Sequence, residues 1–521
     1  LNNLSINTHT PSRKKGTIAL IISSYASLFL GVVKGLVLIP IYLYYIDDRL
    51  YGAWLATGSI VAYLGLFDFG LGGVLIQRVA SNYGKRDFRH LGSILGTGLS
   101  IGLVLSFIPL FLGLLLSSWV PDIVKITGGD AEELRHAFII AAVGTSLMLG
   151  MYHVGGVLTA LQRQIVHGML LVFGDILGIA VTVILLLNGY GLLAIPAGTL
   201  IWALISFLGD GLYLWWFIRK KMFQVSIRFK GEDFKDLFLH SVWQFGSRSA
   251  YTIARQSDNF IIAALIDPLL CTVFTLTKKA SDMLALLVRH FIGAFLPGLA
   301  HLHGEDDREK LKNITSLLFK IASLSGVCFM GGYLFLNEEF VRLWVGSKYF
   351  GGMILTGLFC ITAFFMILST FFYNVIFAKG EIISAARANI SEAIIRIPLS
   401  IFLVIFWGIK GAALASVVAI LPTSFYMQAK SFLKASNFSK YDVLLALRII
   451  GLQILVAFSA GIFLKSLWSP EDIVEFICFG VLYMVLVFSI CVFLDKELFL
   501  SVLDIQRAFF KRKHNNSILN S

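Results

Sequence analysis

The chain is poor in charge. Asp, Glu, Lys and Arg make up 14% of its 521 residues, against roughly 25% in a soluble globular protein. So few polar side chains could not cover a soluble body of this size. No series of alternating ten-residue segments is present, which excludes the pattern of a transmembrane β-barrel. No G-x-x-x-x-G-K-[ST] segment occurs, which excludes ATP hydrolysis through that phosphate loop. The longest polar connections run to about 20 residues, too short to fold as an inserted domain. The five cysteines, Cys271, Cys328, Cys360, Cys478 and Cys491, lie in apolar runs without metal or CxxC spacing. They read as small hydrophobes. His301 and His303 share a polar loop with no further ligands clustered near them, so neither a metal site nor a cofactor is expected.

What the chain has is apolar sequence: 57% of its residues are hydrophobic. They fall in runs of about 20 or more residues bounded by charged clusters, as membrane-spanning helices require. About fourteen candidate spans follow, at 17–45, 50–79, 91–119, 135–160, 166–188, 191–218, 240–266, 270–300, 312–336, 351–377, 384–407, 409–433, 442–467 and 472–494. The fold class is therefore an all-α polytopic membrane protein. Arg13, Lys14 and Lys15 precede a first apolar stretch too long for a signal h-region, so this span is expected to stay in place as an anchor.

The net charge of +12 sits mostly in short loops. That is a topology and lipid-headgroup signal, and no nucleic-acid partner is expected. Placing Lys85, Arg86, Arg89, Arg163, Arg219, Lys220, Lys221, Arg228 and Lys230 inside leaves few cations outside, among them Arg49, Lys125, Arg135 and Arg342. Both termini are then cytoplasmic.

The halves look alike. Gly84-Lys85-Arg86-Asp87 follows the second span and Gly304-Glu305-Asp306-Asp307 the eighth. Asn188-Gly189-Tyr190-Gly191 joins spans five and six, and Phe406-Trp407-Gly408-Ile409-Lys410-Gly411 joins eleven and twelve. The expected organisation is a tail at 1–16, a six-helix N-lobe at 17–218, a linker at 219–239 and a six-helix C-lobe at 240–433. Two appended spans at 434–494 and a basic amphipathic tail at 495–521 complete it. Such a parallel repeat predicts two pseudo-symmetric lobes with a substrate cavity between them.

Ionisable residues inside spans carry the functional signal, because each costs roughly 2.5–3.5 kcal/mol at a helix centre. Span one holds Lys34; span seven Arg248, Arg255 and Asp258; span eight Lys278, Lys279, Asp282 and Arg289. At about 100° per residue, Lys278, Asp282 and Arg289 share one face. Arg255 can pair with Asp258, and Lys278 with Asp282. The cations still outnumber these acids, which points to a hydrated cationic cavity and an anionic ligand. Lys34 and Arg255 occupy nearly matching positions of the two repeats and are expected to face each other. Asp68, in Phe67-Asp68-Phe69-Gly70-Leu71-Gly72-Gly73, reads first as the cap of a bent or unwound helix and second as an ion site. Glu392 and Arg396 read as a mutually satisfied pair. Asp175 has no obvious local partner. Asp210 is expected near the inner surface, and Lys320 and Arg448 are expected to snorkel.

Leu38-Ile39-Pro40, Tyr51-Gly52-Ala53-Trp54 and Leu66-Phe67-Asp68-Phe69-Gly70-Leu71-Gly72 resemble the N-terminal signature of Wzx-type (O-antigen) polysaccharide flippases. These belong to the multidrug/oligosaccharidyl-lipid/polysaccharide (MOP) exporter superfamily. Ser257-Asp258-Asn259-Phe260-Ile261-Ile262, Lys278-Lys279-Ala280 and Leu296-Pro297-Gly298-Leu299 look like the second-half signature. The resemblance implies a V-shaped, MATE-like fold and alternating access. It implies an undecaprenyl-pyrophosphate-linked oligosaccharide as substrate, moved from inner to outer leaflet of a bacterial inner membrane. Polysaccharide polymerase or chain-length machinery is the partner it implies. The family's cavity cations map onto Lys34, Arg248, Arg255, Lys278 and Arg289. Coupling to H⁺ or Na⁺ would fall to Asp258, Asp282 or Asp68. Many Wzx-type members have twelve spans, and fourteen is nearer the lipid II flippase arrangement. A cation-coupled multidrug exporter would want acidic residues in the cavity. A membrane enzyme would want a larger outside loop or a surface His/Asp/Arg constellation, and neither is present. A scaffold for glycan assembly would leave the buried charges unexplained.

Overall fold

The computed structural model describes residues 25–221, 229–293, 295, 308–378, 382–436 and 440–495. The tail at 1–16, the start of the first span, His301, His303, Pro297 and the basic tail beyond Asp495 lie outside the described residues. All regular structure among the described residues is helical.

The elements are α1 (Tyr25–Tyr45), α2 (Asp48–Leu64), α3 (Leu71–Lys85), α4 (Phe88–Leu116), α5 (Gly129–Ala160), α6 (Gln164–Leu187), α7 (Ala194–Lys221) and α8 (Gly231–Leu265). They continue with α9 (Leu269–Gly293), α10 (Arg308–Trp344), α11 (Met353–Ala378), α12 (Ile382–Ile420), α13 (Tyr426–Ser436), α14 (Lys440–Leu467) and α15 (Ile473–Leu494). Polar caps set several starts. Asp47 accepts from the amides of Arg49 and Leu50 ahead of α2, Asp87 from His90 ahead of α4, and Asp472 from Glu475 ahead of α15. Arg86, left-handed at φ 59°, closes α3.

Eleven described segments, rather than fourteen, are long and apolar enough to cross a membrane. The difference has two causes. First, α8 and α9 carry the charged residues Arg248, Arg255, Asp258, Lys278, Lys279, Asp282 and Arg289 and so fall below the required hydropathy. Second, one segment, Ala386–Lys434, runs for 49 residues. As a straight helix it would extend roughly 70 Å, more than twice the hydrocarbon thickness. It is not straight: Gly408, at φ 60° and ψ −142°, interrupts α12. Beyond the break, a Cβ on Gly411 would lie 2.1 Å from the carbonyl oxygen of Leu403, so the two arms pack on each other at the glycine.

The chain divides into two compact units, Leu1–Thr272 and Val273–Ser521. In the first, α5 packs on α4 and α7, and α6 on α7. Gly178 and Gly198 bring α6 and α7 together: a Cβ on Gly198 would fall 1.9 Å from Thr182 Oγ1 and 2.5 Å from the Gly178 carbonyl oxygen. The border lies one helix beyond 239/240, because α8 packs on α2, α3 and α4. Its start is held by polar contacts: Ser93 donates to Asp233, and the Lys230 amide donates to Thr97 Oγ1 at 2.8 Å. Leu237 is buried against Leu71 and Val74, and the Phe245 ring lies 4.8 Å from Phe69.

In the second unit, Phe371, Phe372 and Phe432 join Val288 and Ile292 of α9 in one core. The hydroxyl of Tyr333 and the amide of Asn337 on α10 both donate to the Thr277 carbonyl, fixing α9 to α10. The appended α14 and α15 cover a face of α10 in a second core around Phe479, Tyr483 and Val487.

Candidate functional site

Lys34 opens a π-helical stretch, Lys34–Leu38, in the middle of α1, with Pro40 just beyond it. Proline lacks the amide that would continue the α-helical ladder, and the wider turn re-aims the side chains around it. The Lys34 Nζ lies 2.5 Å from Asp175 Oδ1 on α6. Asp175 thus has a partner 141 positions away in sequence, a separation that no local pattern reveals.

Asp68 ends a 3₁₀ turn, Gly65–Asp68, and Phe69 and Gly70 follow in the left-handed region at φ 48° and 74°. The glycine-rich segment therefore breaks the helix, as its composition suggests, and leaves the Gly70 amide free to donate to Asp68 Oδ1 at 3.1 Å. The other oxygen, Oδ2, accepts from Arg248 of α8 at 3.0 Å. Asp68 is both the turn's cap and the partner of an expected substrate cation. The pair is lopsided: the Arg248 side chain is 50% exposed and that of Asp68 5%. Lys34 and Asp175 repeat the asymmetry at 36% and 16%. In each pair the carboxylate is the more buried member and the cation the more exposed.

On α8, the Arg255 guanidinium stands 5.5 Å from the centre of the Tyr251 ring, within cation–π range. Asp258, less than one turn beyond, is buried. In the second unit, Lys278 pairs with Asp282 at 3.6 Å, the i,i+4 contact expected from spacing, and lies 5.9 Å from the Phe359 ring. Arg289 is half-buried and donates from Nε to the Ala285 carbonyl at 3.3 Å. Lys34, Arg248 and Arg255 thus belong to the first unit, and Lys278 and Arg289 to the second.

Among the other charges, Asp210 is fully buried, and His167 Nδ1 lies 2.6 Å from its Oδ2. The close approach of α5 makes room for that pair, since a Cβ on Gly155 would fall 2.2 Å from His167 Cε1. Lys320 does not snorkel; it is buried and pairs with Asp495 at 3.1 Å. Glu392 and Arg396 do form an ion pair, at 3.6 Å and both nearly inaccessible, and Ser424 donates to the Glu392 carboxylate. Asp210 was readable as an acid within span six, but its partner on another helix was not.

The helix order and packing are those of an all-helical, multi-span membrane fold that solved transporters of the MOP superfamily share. A solved multidrug resistance MATE family transporter of that superfamily, in an inward-facing conformation, matches with a TM-score of 0.66 at 15% identity. The match covers 81% of this chain and 99% of that one. The lipid II flippase MurJ, in an inward closed conformation, matches with a TM-score of 0.66 at 13% identity, over 92% of this chain and 98% of that one. In sequence, residues 161–352 match the family described as "Polysaccharide biosynthesis protein". A Shigella flexneri protein named "Putative O-antigen transporter" is 21% identical over 381 residues, 73% of this chain and 88% of that protein. The fold expected from the Asp68 and Lys278 segments is thus found in solved MATE and MurJ structures, and the sequence is similar to polysaccharide-biosynthesis and O-antigen-transporter sequences.

Proposed function

We propose that this chain is a flippase that carries a polyprenyl-pyrophosphate-linked oligosaccharide, such as an O-antigen repeat unit, from the inner to the outer leaflet of a bacterial inner membrane. One observation carries the reading: the side chains of Lys34 and Arg248, on helices of the bundle, are 36% and 50% exposed, while the acids paired with them, Asp175 and Asp68, are 16% and 5% exposed. A pyrophosphate cannot cross hydrocarbon as a bare charge, because the loss of hydration far exceeds what lipid returns. Fixed cations that meet it inside the membrane, exposed in turn to the two sides, remove that barrier. Lys34, Arg248 and Arg255 in the first unit and Lys278 and Arg289 in the second are the proposed contacts. Sequence similarity to a polysaccharide biosynthesis family and to an O-antigen transporter supports the substrate class. Asp68, Asp258 and Asp282 are the proposed carriers of a coupling H⁺ or Na⁺. Cytoplasmic termini and contact with polysaccharide polymerase or chain-length machinery complete the proposal.

A lipid II-type flippase is the second reading. The greater share of this chain matched by MurJ, 92% against 81% for the MATE transporter, favours it.

Conditional depletion in the native host tests the proposal. The expected result is accumulation of lipid-linked oligosaccharide facing the cytoplasm with loss of surface polysaccharide, reversed by wild type and not by Lys34→Ala. Intact surface polysaccharide without accumulation overturns it. Accumulation of a peptidoglycan precursor instead selects the second reading.

A further inference from the structure

A flippase working among phospholipids faces a selection problem. The surrounding bilayer offers an excess of singly charged phosphate headgroups, and an unpaired cation inside an apolar helix would hold any of them. The helix that carries Lys34 is open to such contact, since Phe29, Val37 and Tyr44 on α1 are all exposed. Yet Lys34 is not a bare cation. Its ammonium sits 2.5 Å from Asp175, and Arg248 sits 3.0 Å from Asp68.

We propose that Asp175 and Asp68 are specificity-determining counter-ions: they neutralise Lys34 and Arg248 against singly charged phospholipid headgroups and are overcome by a diphosphate. The proposal rests on the reading of the chain as a carrier of lipid-linked diphosphates. Each pair presents a dipole with its positive end exposed and its carboxylate behind. An approaching anion feels the cation's attraction less the carboxylate's repulsion, so the net pull is weaker than that of a lone cation. One phosphodiester gains too little from that residue to offset its dehydration and lost freedom. A diphosphate brings two phosphates on one molecule, which doubles the attraction for a single loss of translational freedom. The acids therefore set a threshold that charge number crosses.

Removing the acid's charge should lower the threshold. Asp175→Asn keeps the side-chain shape and leaves Lys34 unneutralised. Asp68→Asn does the same for Arg248 and retains the Oδ1 that accepts from Gly70. The full chain is reconstituted into phosphatidylcholine vesicles holding either fluorescent phosphatidylglycerol or fluorescent phosphatidylcholine, and transbilayer movement is read by quenching of the outer leaflet. The expected result is a phosphatidylglycerol rate about tenfold above wild type in either variant. Phosphatidylcholine should stay at the wild-type rate. Asp175→Glu and the double change Lys34→Ala/Asp175→Asn should both return to wild type. Equal acceleration of both lipids in the Asn variants would assign the acids a purely structural role and overturn the proposal, as would acceleration of neither. Binding of farnesyl diphosphate to the same preparations reads the flippase assignment separately. If wild type binds it no better than Lys34→Ala does, that assignment fails, whatever the phosphatidylglycerol result.

Discussion

Gly52 lies in the Tyr51-Gly52-Ala53-Trp54 segment, and no other residue type fits there. A Cβ at this position would sit 1.9 Å from the carbonyl oxygen of Pro268, a backbone atom that cannot swing aside. The neighbouring Thr272 hydroxyl donates to the Asp48 carbonyl at 2.9 Å and keeps the two segments in contact. Gly52→Ala should therefore destabilise the first unit by about 1–3 kcal/mol, as overpacking does. The loss would be read as a lower midpoint in a thermal scan of the detergent-solubilised protein. The Glu392–Arg396 pair predicts a different balance. Breaking one side of a buried pair costs about 3–5 kcal/mol, whereas replacing both sides with apolar residues is close to neutral. Glu392→Leu alone should fall well below wild type in the same scan, and Glu392→Leu/Arg396→Met should recover most of the loss. At this scale the sequence was partly legible. Spacing alone exposed Glu392 with Arg396 and Lys278 with Asp282. Lys34 with Asp175, Arg248 with Asp68 and His167 with Asp210 were hidden, because each joins helices far apart in sequence.

Among the elements, hydropathy located most helices within a few residues, since a span's length is dictated by the membrane it crosses. The spans expected at 240–266 and 270–300 are helices too, α8 and α9, though their charges give them the composition of a site rather than of lipid-facing helix. The break at Gly408 was legible as the joint between two expected spans, because Gly408-Ile409-Lys410-Gly411 places two glycines and a charge together. What was not legible is how closely the arms meet there. The Gly408 backbone lies in the positive-φ region with extended ψ, which is essentially reserved for glycine. Gly408→Val should misplace the second arm and reduce the yield of monodisperse protein, measured by size-exclusion chromatography. The close contact of α6 with α7 makes a parallel prediction. Gly198→Leu should separate the helices and displace Asp175, so transport should be lost along with stability; Gly211→Ala, in open space, should be silent in both measurements.

For the whole molecule, the eleven apolar segments and the two charged helices α8 and α9 yield a topology that labelling can check. If α8 crosses the membrane, its ends lie on opposite sides. In a background without native cysteines, Leu269→Cys should react with an impermeant maleimide in intact spheroplasts, and Lys230→Cys only after permeabilisation. Equal reactivity at both would return α8 to one face of the bilayer. The fold class was legible at this scale from the scarcity of charge together with apolar runs of about 20 residues. The packing border at Thr272 was not, because it depends on Ser93, Thr97 and Asp68 reaching α8 from elsewhere in the first unit.

The composition of α8 also bears on how the protein is made. Each Arg or Asp at the centre of an emerging helix costs roughly 2.5–3.5 kcal/mol as the segment leaves the translocon for lipid. With Arg248, Arg255 and Asp258 on one helix, α8 has no favourable path into the bilayer alone. Its partners are made first: α2, α3 and α4, with Asp68 at the break between α2 and α3, precede it in synthesis. Insertion of α8 is thus expected to depend on the earlier helices having already assembled, and a ribosome stalled once α8 has cleared the exit tunnel should leave α8 outside the membrane whenever Asp68 is replaced by Leu.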